Sequence, residues 1–214
     1  MVSTTACKWD VIIPFEPLWI QYERIIKDNG AICLFGSEPF SSLLRMSNFK
    51  LYKYDWVWDK KIPSGMSYAR FQPMRQHENI MIFYKNKCLY NPQMIKRDKP
   101  IKEGGKKKSE SAPIANFNNM GGKIYEYKNP TTILTYQKIR QGSLHPTQKP
   151  IELFEYLIKT YTNKENIVLD NCSGSGTTAV ACINTNRNYI CFEKDITYWG
   201  KSIERIQDVV SRTK

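Results

Sequence analysis

The part of the sequence that most constrains the fold lies between residues 166 and 193. An apolar run that ends in an acid, Asn166–Asp170, is followed by the glycine-rich segment Ser173-Gly174-Ser175-Gly176. A helical segment, Thr177–Thr185, and a second apolar run, Tyr189–Glu193, come next. Strand, glycine turn, helix and strand in this order form the nucleotide-binding unit of a doubly wound parallel sheet. We therefore expect an α/β fold.

The glycine turn also predicts a ligand. Gly174 and Gly176 would let a ligand approach the backbone closely, and the helix that starts at Thr177 would offer N–H donors to an anionic group. Asp170 would lie at the carboxyl end of its strand, where ligands bind in such sheets. Glu193 follows the first glycine by about 20 residues, and an acid there can accept hydrogen bonds from both ribose hydroxyls. The pattern predicts a nucleoside-containing cofactor, and it leaves open a dinucleotide or S-adenosylmethionine.

The rest of the chain divides into a regular part and a polar part. Residues 11–85 alternate between helix and strand patterns, with a first helix that we expect Asn29-Gly30 to end. The remaining predicted elements are strands at 31–35, 54–58 and 80–84, and helices at 38–46, 151–161 and 198–210. Residues 86–144 contain a lysine-rich run, Lys96–Lys108, that has too few apolar side chains to order itself. Such a segment is either a solvated surface loop or a functional one.

Charge and cysteine content narrow the classes of function. The formal net charge of +12 over 214 residues favours a polyanionic partner, although a basic protein without a nucleic-acid role is the alternative. Two histidines and six cysteines without a Cys-x-x-Cys pair argue against a zinc site, and they suit reduced thiols in a cytoplasm. No apolar run approaches the roughly 20 residues that a transmembrane helix needs, and the first ten residues do not resemble a secretory signal.

Two motifs together resemble a known family. His145-Pro146-Thr147-Gln148-Lys149-Pro150 precedes an apolar helix, and Asp170–Thr178 follows it. This pair resembles the DNA amino-methyltransferases that modify adenine or cytosine, in the permuted class whose catalytic motif is N-terminal. Thr4–Asp10, Phe35–Phe40 and Tyr54–Lys60 also resemble phage and bacterial DNA methylases. The resemblance implies a Rossmann-like S-adenosylmethionine-dependent methyltransferase sheet, with helices on both faces and an inserted recognition region.

The resemblance also implies roles for particular residues. The cofactor-binding set would be Asp170, Gly174, Gly176 and Thr178 around the glycine turn, Thr147 and Lys149 at the methionine end, and Glu193 at the ribose. Residues 1–85 would form the catalytic-side half, 86–144 the target-recognition insertion and 145–214 the cofactor-binding half. One departure is Asn171-Cys172, where the family often has Pro-Phe.

The family's catalytic motif is not found in the sequence. It would lie before Thr4, with Val2 at the position of its aromatic residue and Ser3 at the position of its glycine. The expectation is thus an N-terminally truncated chain that has lost its catalytic acid. Asp10 and the acids of Asp55–Asp59 are the possible substitutes, although the alternation around Asp55 fits a structural strand.

The predicted activity is methyl transfer from S-adenosylmethionine to the exocyclic amine of adenine, with cytosine as the second choice, in double-stranded DNA. The base would be flipped out of the duplex. We expect a cytoplasmic protein of a bacterium or of a phage-infected cell, associated with restriction-modification, with no metal and no membrane partner. The alternatives are a catalytically inactive DNA-binding or regulatory protein, an NAD-type oxidoreductase, and methylation of RNA or protein.

Overall fold

A computed structural model describes residues 11–102 and 124–213 of the chain. The described residues form five α-helices, eight strands and one turn of 3₁₀ helix at Met66–Tyr68. The helices are α1 (Phe15–Ile25), α2 (Phe40–Ser47), α3 (Ile151–Tyr161), α4 (Thr177–Thr185) and α5 (Ile196–Thr213). The strands are β1 (Ile32–Gly36), β2 (Tyr52–Ser64), β3 (Arg75–Phe83), β4 (Ile95–Lys102), β5 (Ile124–Lys128), β6 (Ile133–Thr135), β7 (Ile167–Asp170) and β8 (Asn188–Cys191).

The larger sheet contains four strands in the order β1-β3-β2-β6. Strand β3 lies between β1 and β2 and is antiparallel to both, whereas β6 runs parallel to β2. The last four residues of β3, Ile80–Phe83, are fully buried, and their side chains alternate between the two faces of the sheet, as they must in a strand. Ile80 and Ile82 pack in the core that contains α3, whereas Met81 and Phe83 pack in the core that contains α1 and α2. Helices therefore cover both faces, as predicted.

The smaller sheet carries the glycine turn. Strands β7 and β8 are parallel, with Ile167 opposite Asn188 and Asp170 opposite Cys191. Helix α4 connects them, because two parallel strands can be joined only by a crossover. The observed bounds of α3 and α4 are those predicted from the sequence, and β7 and β8 start within the predicted apolar runs or one residue outside them.

Helix α3 packs against both sheets. Leu153, Leu157 and Tyr161 on one side of the helix belong to the core of the four-stranded sheet. Ile158, together with the partly buried Phe154, packs with α4 and β7. An apolar stripe that is wide enough for two contacts explains why this helix is more buried than an ordinary surface helix. The helix thereby fixes the glycine turn relative to the four-stranded sheet.

The end of α1 differs from the prediction. The helix ends at Ile25, and Ile26 is already extended, so Asn29-Gly30 is not its C-cap. Gly30 has another role, because a Cβ at this position would lie 2.7 Å from Ile26 Cδ1. A side chain at residue 30 would therefore crowd the Ile26 side chain before β1 begins. The Asn29-Gly30 pair, which predicted a helix end, instead marks a close contact with Ile26.

The polar middle of the chain forms a compact unit of its own, Pro92–Thr131. This unit is narrower than the predicted 86–144 segment, because residues 133–135 pair with β2 in the large sheet. The expectation that the lysine-rich run does not order is wrong for residues 95–102, which form β4 and pair with β5. Cross-strand pairs such as Ile101 with Tyr125 supply the contacts that we underestimated. The rest of the run, including Lys106–Lys108, lies outside the described residues.

Within the described part of the chain, no helix has the length and apolar character needed to cross a bilayer.

Candidate cofactor-binding site

The loop between β7 and α4 adopts a conformation that requires its glycines. Gly174 and Gly176 have φ values of +52° and +75°, in the left-handed region that side chains with a Cβ rarely adopt. The Gly176 N–H donates to the Ser173 carbonyl at 2.9 Å, which closes the turn directly before α4. The N-terminus of α4 therefore faces the end of β7, in the arrangement that binds anionic groups in doubly wound folds.

Asp170 is held by two donors from the same loop and helix. Its Oδ1 accepts a hydrogen bond from the Cys172 backbone N–H at 3.0 Å, and its Oδ2 accepts one from the Thr178 hydroxyl. Thr178 is buried in the first turn of α4. The predicted pair of Asp170 and Thr178 is thus brought together, and the carboxylate has a fixed orientation at the carboxyl end of β7.

Glu193 closes the other side of the loop. Its Oε2 accepts a hydrogen bond from the Gly174 N–H at 2.7 Å, and its Oε1 accepts one from the Asp195 N–H at 2.9 Å. Each carboxylate oxygen has two acceptor positions, so one bond per oxygen leaves capacity for further donors such as hydroxyl groups. The structure therefore places Glu193 and Gly174 in direct contact, as a shared site requires.

The His145–Pro150 segment reaches the same loop through its histidine. The His145 ring packs against Gly174, since a Cβ on that glycine would lie 3.3 Å from the ring carbons. The His145 ring also contacts Tyr198, and the two ring centroids are 4.3 Å apart. The Thr147 N–H donates to His145 Nδ1 at 3.2 Å, and the Thr147 hydroxyl lies 3.0 Å from the same atom. Burial lowers the pKa of His145, which favours the neutral ring that can accept at Nδ1.

Lys149 has its contacts on the side of the four-stranded sheet. Its ammonium lies 4.9 Å from the centre of the Phe35 ring and 4.0 Å from Glu78 Oε2. Phe35 is next to the last residue of β1, so Lys149 lies at the carboxyl end of that strand. In the described residues, no hydrogen bond connects Lys149 to the glycine loop, and Thr147 is connected to it only through His145.

Helix α5 holds the loop from behind, which the sequence analysis missed. Arg205 Nη1 donates to the Ser175 carbonyl at 3.0 Å and lies 3.1 Å from the Thr177 hydroxyl oxygen. Ser202, one turn earlier, packs so closely that a Cβ on Gly176 would lie 3.0 Å from Ser202 Cβ. Ser202 and Arg205 are three residues apart and share a face of α5. The spacing could have predicted that the two side chains share a face of α5, but it does not indicate that this face packs against the glycine loop.

A second missed contact joins the loop to α1. The Tyr22 hydroxyl donates to Asn171 Oδ1 at 3.0 Å. Burial raises the pKa of Tyr22 to about 12, so the phenol remains protonated and available as a donor at neutral pH. Asn171 is one of the residues at which the sequence departs from the family pattern. The departure therefore coincides with a contact to α1.

The acids considered as substitutes for the catalytic residue have structural partners where they can be seen. Asp55 Oδ2 is 2.6 Å from Arg45 Nη2, and Asp59 Oδ1 accepts hydrogen bonds from the Lys61 N–H and the Gln76 side chain. Asp10, and the position before Thr4 where the catalytic motif was expected, lie outside the described residues. Among residues 11–102 and 124–213, no group of His, Cys, Asp and Glu could hold a metal ion.

Comparison with known proteins identifies the family. A family model described as DNA methylase, for enzymes of the N6 and N4 type, matches residues 9–204 of this chain. This match covers most of the sequence, including both motifs and the whole glycine loop. The chain belongs to the N6/N4 DNA methylase family. The predicted resemblance is thus confirmed, and so is the methyltransferase type of α/β fold.

Several relatives of the chain are named as type II methyltransferases. M2.MboI from Moraxella bovis is 28% identical over 203 residues, which cover 92% of this chain and 67% of M2.MboI. M.HpaI from Haemophilus parainfluenzae is 25% identical over 205 residues, and the chain spans 59% of its length. Two solved structures share the fold. M1.HpyAVI in complex with SAM has a TM-score of 0.58 at 24% identity, covering 88% of this chain and 81% of the other. The cytosine-N4-specific PvuII methyltransferase has a TM-score of 0.59 at 17% identity, covering 99% and 82%.

Proposed function

We propose that this chain binds S-adenosylmethionine at the glycine loop and serves methyl transfer to an exocyclic amine of a DNA base. The observation that carries the proposal is the pair of acids tied to one loop. Asp170 is fixed by Thr178, and Glu193 is fixed by the Gly174 N–H. The proposal extends family membership and the SAM complex of M1.HpyAVI to the residues of this chain.

The proposed division of labour follows from the chemistry of each group. Glu193 retains acceptor capacity on both oxygens, so it would accept hydrogen bonds from the two ribose hydroxyls. The N-terminus of α4 and the loop N–H groups would stabilise the cofactor's carboxylate. Thr147 and Lys149 would lie at the methionine end. When bound, S-adenosylmethionine supplies an electrophilic methyl group on its sulfonium.

The finer assignments are also proposals. We infer adenine as the target base in preference to cytosine, double-stranded DNA as the substrate, and the cytoplasm of a bacterial or phage-infected cell as the location. The segment 86–144, whose core is the β4–β5 hairpin, would recognise the target sequence. The basic side chains of that hairpin, such as Lys96 and Lys99, would contact phosphates and thereby position the protein on DNA.

Isothermal titration with S-adenosylmethionine and with NAD tests the cofactor, because the glycine turn by itself is compatible with both. We expect binding of S-adenosylmethionine only. Thr178→Val should weaken this binding by roughly tenfold, because the Asp170 carboxylate loses the hydroxyl donor that fixes its orientation, and a hydrogen bond to a charged group contributes about 1.5–3 kcal/mol. Thr178→Ser retains the hydroxyl and is the matched control. Equal affinities of the two variants would remove Asp170 and Thr178 from the site.

Labelled methyl transfer to plasmid DNA, followed by nucleoside analysis, tests the reaction and identifies the base. N6-methyladenine is the expected product. N4-methylcytosine would correct the choice of base. Transfer to RNA or protein, with none to DNA, would contradict the proposal. Binding of S-adenosylmethionine without transfer to any of these would favour the inactive DNA-binding alternative.

A further inference from the structure

A basic cleft lies beside the glycine loop and is not used by the proposed cofactor site. It has a volume of about 700 Å³ and lies between the end of β2, the segment Lys138–Pro146 and the start of α5. Three cations line it. Lys138 and Arg140 come from the segment before His145, and Lys201 comes from α5. No acidic residue is found among the described residues that line it. We call it the basic cleft.

Within the described part of the chain, no ion pair neutralises the three cations of the basic cleft. Arg45 pairs with Glu38 and Asp55, and Lys60 pairs with Glu78. In the part of the chain that the structure describes, no carboxylate lies within ion-pair distance of Lys138, Arg140 or Lys201. Like charges around one cavity repel each other, so an anionic ligand would stabilise this arrangement.

The polar groups in the basic cleft are also suited to an oxyanion. Lys138 Nζ donates to Ser64 Oγ at 3.2 Å, which fixes the lysine at one end of the cleft. Lys201 lies over the ring of Tyr198, with its Nζ 5.6 Å from the ring centre. Hydroxyl, ammonium and guanidinium groups are the usual side-chain partners of phosphate oxygens.

The position of the basic cleft connects it to the cofactor site. His145 and Tyr198 line the cleft, and His145 also packs against Gly174 of the glycine loop. The carboxylates of Glu193 and Asp195 act on this histidine but do not line the basic cleft. Glu193 accepts from the Gly174 N–H, and Asp195 accepts from the Thr197 N–H at 2.8 Å. A strand of nucleic acid in the cleft would therefore pass directly beside the place where the cofactor is proposed to bind.

We propose that the basic cleft binds phosphate groups of the DNA backbone and holds the strand next to the cofactor loop. The choice of DNA as the source of these phosphates rests on the proposed function. The contacts would be independent of base sequence, because they are made to phosphates only. Their role would be to set the register of the duplex relative to the site of methyl transfer.

The test compares two triple variants that change the net charge equally. The cleft variant carries Lys138→Gln, Arg140→Gln and Lys201→Gln. The control variant carries Lys27→Gln, Lys50→Gln and Lys164→Gln at exposed positions outside the basic cleft. Affinity for a fluorescent DNA duplex is measured by anisotropy over a range of salt concentrations. Binding of S-adenosylmethionine is measured separately by titration calorimetry, and thermal melting establishes that each variant is folded.

For the cleft variant we expect DNA affinity to fall by at least about tenfold near 0.1 M salt and the salt slope to decrease by about 2–3, since each lost phosphate contact removes roughly 0.9 from the slope. The control variant should lose much less, and both should bind S-adenosylmethionine as the wild type does. Equal losses in the two triple variants, or no loss in either, would overturn the inference. If the cleft variant does not fold, Arg140→Gln alone should lower the slope by about one.

Two further outcomes separate this inference from its assumptions. Pyrophosphate is titrated into the wild type and the cleft variant, because a free phosphate ligand would use the same cations. Pyrophosphate binding that is lost in the cleft variant while DNA binding is unchanged would overturn the assignment to DNA. A wild type that binds DNA through the cleft but does not bind S-adenosylmethionine would support the inference and contradict the proposed function.

Discussion

At the scale of single residues, the positions of two acids at the ends of β7 and β8 follow the sequence, whereas their role in binding a cofactor stays a prediction. Asp170 and Glu193 could be assigned from the sequence because each follows an apolar strand, and the spacing across one βαβ unit is nearly constant. The Tyr22–Asn171 contact joins residues 149 positions apart, and no local pattern announces it. The placement of Lys149 under Phe35 likewise depends on how α3 meets β1.

His145 makes stability near the loop depend on pH. Burial holds its pKa in the folded protein below the value of about 6.5 that an unfolded chain has. Between these two pKa values the unfolded chain binds more protons than the folded one, so the free energy of unfolding falls as the pH decreases below about 6.5. Urea denaturation at pH 7 and at lower pH should show this loss.

The two histidines of the chain provide the comparison for this pH effect. His145→Asn removes the titrating ring and keeps an acceptor near the Thr147 N–H, so the loss of stability at low pH should be smaller than in the wild type. His77, which is exposed at β3, serves as the control, and His77→Gln should retain the wild-type dependence. The same pH dependence in the wild type and in His145→Asn would show that His145 is not its source.

At the scale of elements, the sequence predicts the helices and strands whose apolar pattern and end signals lie within the segment itself. Helix α3 has the predicted bounds because an apolar stripe follows Pro150. Helix α4 has them because a segment that is buried on nearly every side starts directly after the glycine turn. The predicted end of α1 was wrong because Gly30 lies close to Ile26, after the helix has already ended. The β4–β5 hairpin was missed because nearly all of its side chains are exposed, and only pairing between distant segments stabilises it.

The contact between α5 and the start of α4 can be tested with two glycines. Gly176→Ala should destabilise the protein by about 1–3 kcal/mol, since alanine is strained at positive φ and its Cβ would contact Ser202. Gly200→Ala is the matched control, because a Cβ there meets open space within a helix. That change should stabilise by about 0.4–1 kcal/mol.

Thermal unfolding of the two alanine variants measures the difference in stability, and titration with S-adenosylmethionine shows whether the loop conformation matters for the ligand. We expect weaker binding in Gly176→Ala only. Similar melting temperatures for both variants would show that α5 does not restrict the loop.

At the scale of the whole molecule, part of the positive charge is concentrated in the Pro92–Thr131 unit. The net charge of +12 was read from the sequence as a sign of a polyanionic partner, but composition cannot say where the cations meet. The hairpin of the Pro92–Thr131 unit carries Lys96, Lys99 and Lys102 on β4. If this unit takes part in target recognition, replacing these three with Gln should weaken DNA binding and lower its salt slope, by roughly one for each lost contact.

The hairpin variant should bind S-adenosylmethionine as the wild type does, because none of the proposed cofactor residues lies between Pro92 and Thr131. Anisotropy with a DNA duplex and calorimetry with the cofactor measure the two effects independently. Unchanged DNA affinity would exclude these lysines from the interface and leave the recognition role of the segment without support.

The double contact of α3 has a consequence for how this protein opens. One helix contributes Leu153 and Leu157 to the core of the large sheet and Ile158 to the core around α4. When either core opens, one side of α3 loses its packing partners, and this destabilises the other core, which also depends on the helix. Backbone amides of β3 and of α4, although they belong to different sheets, should then exchange with solvent deuterium in a single cooperative event.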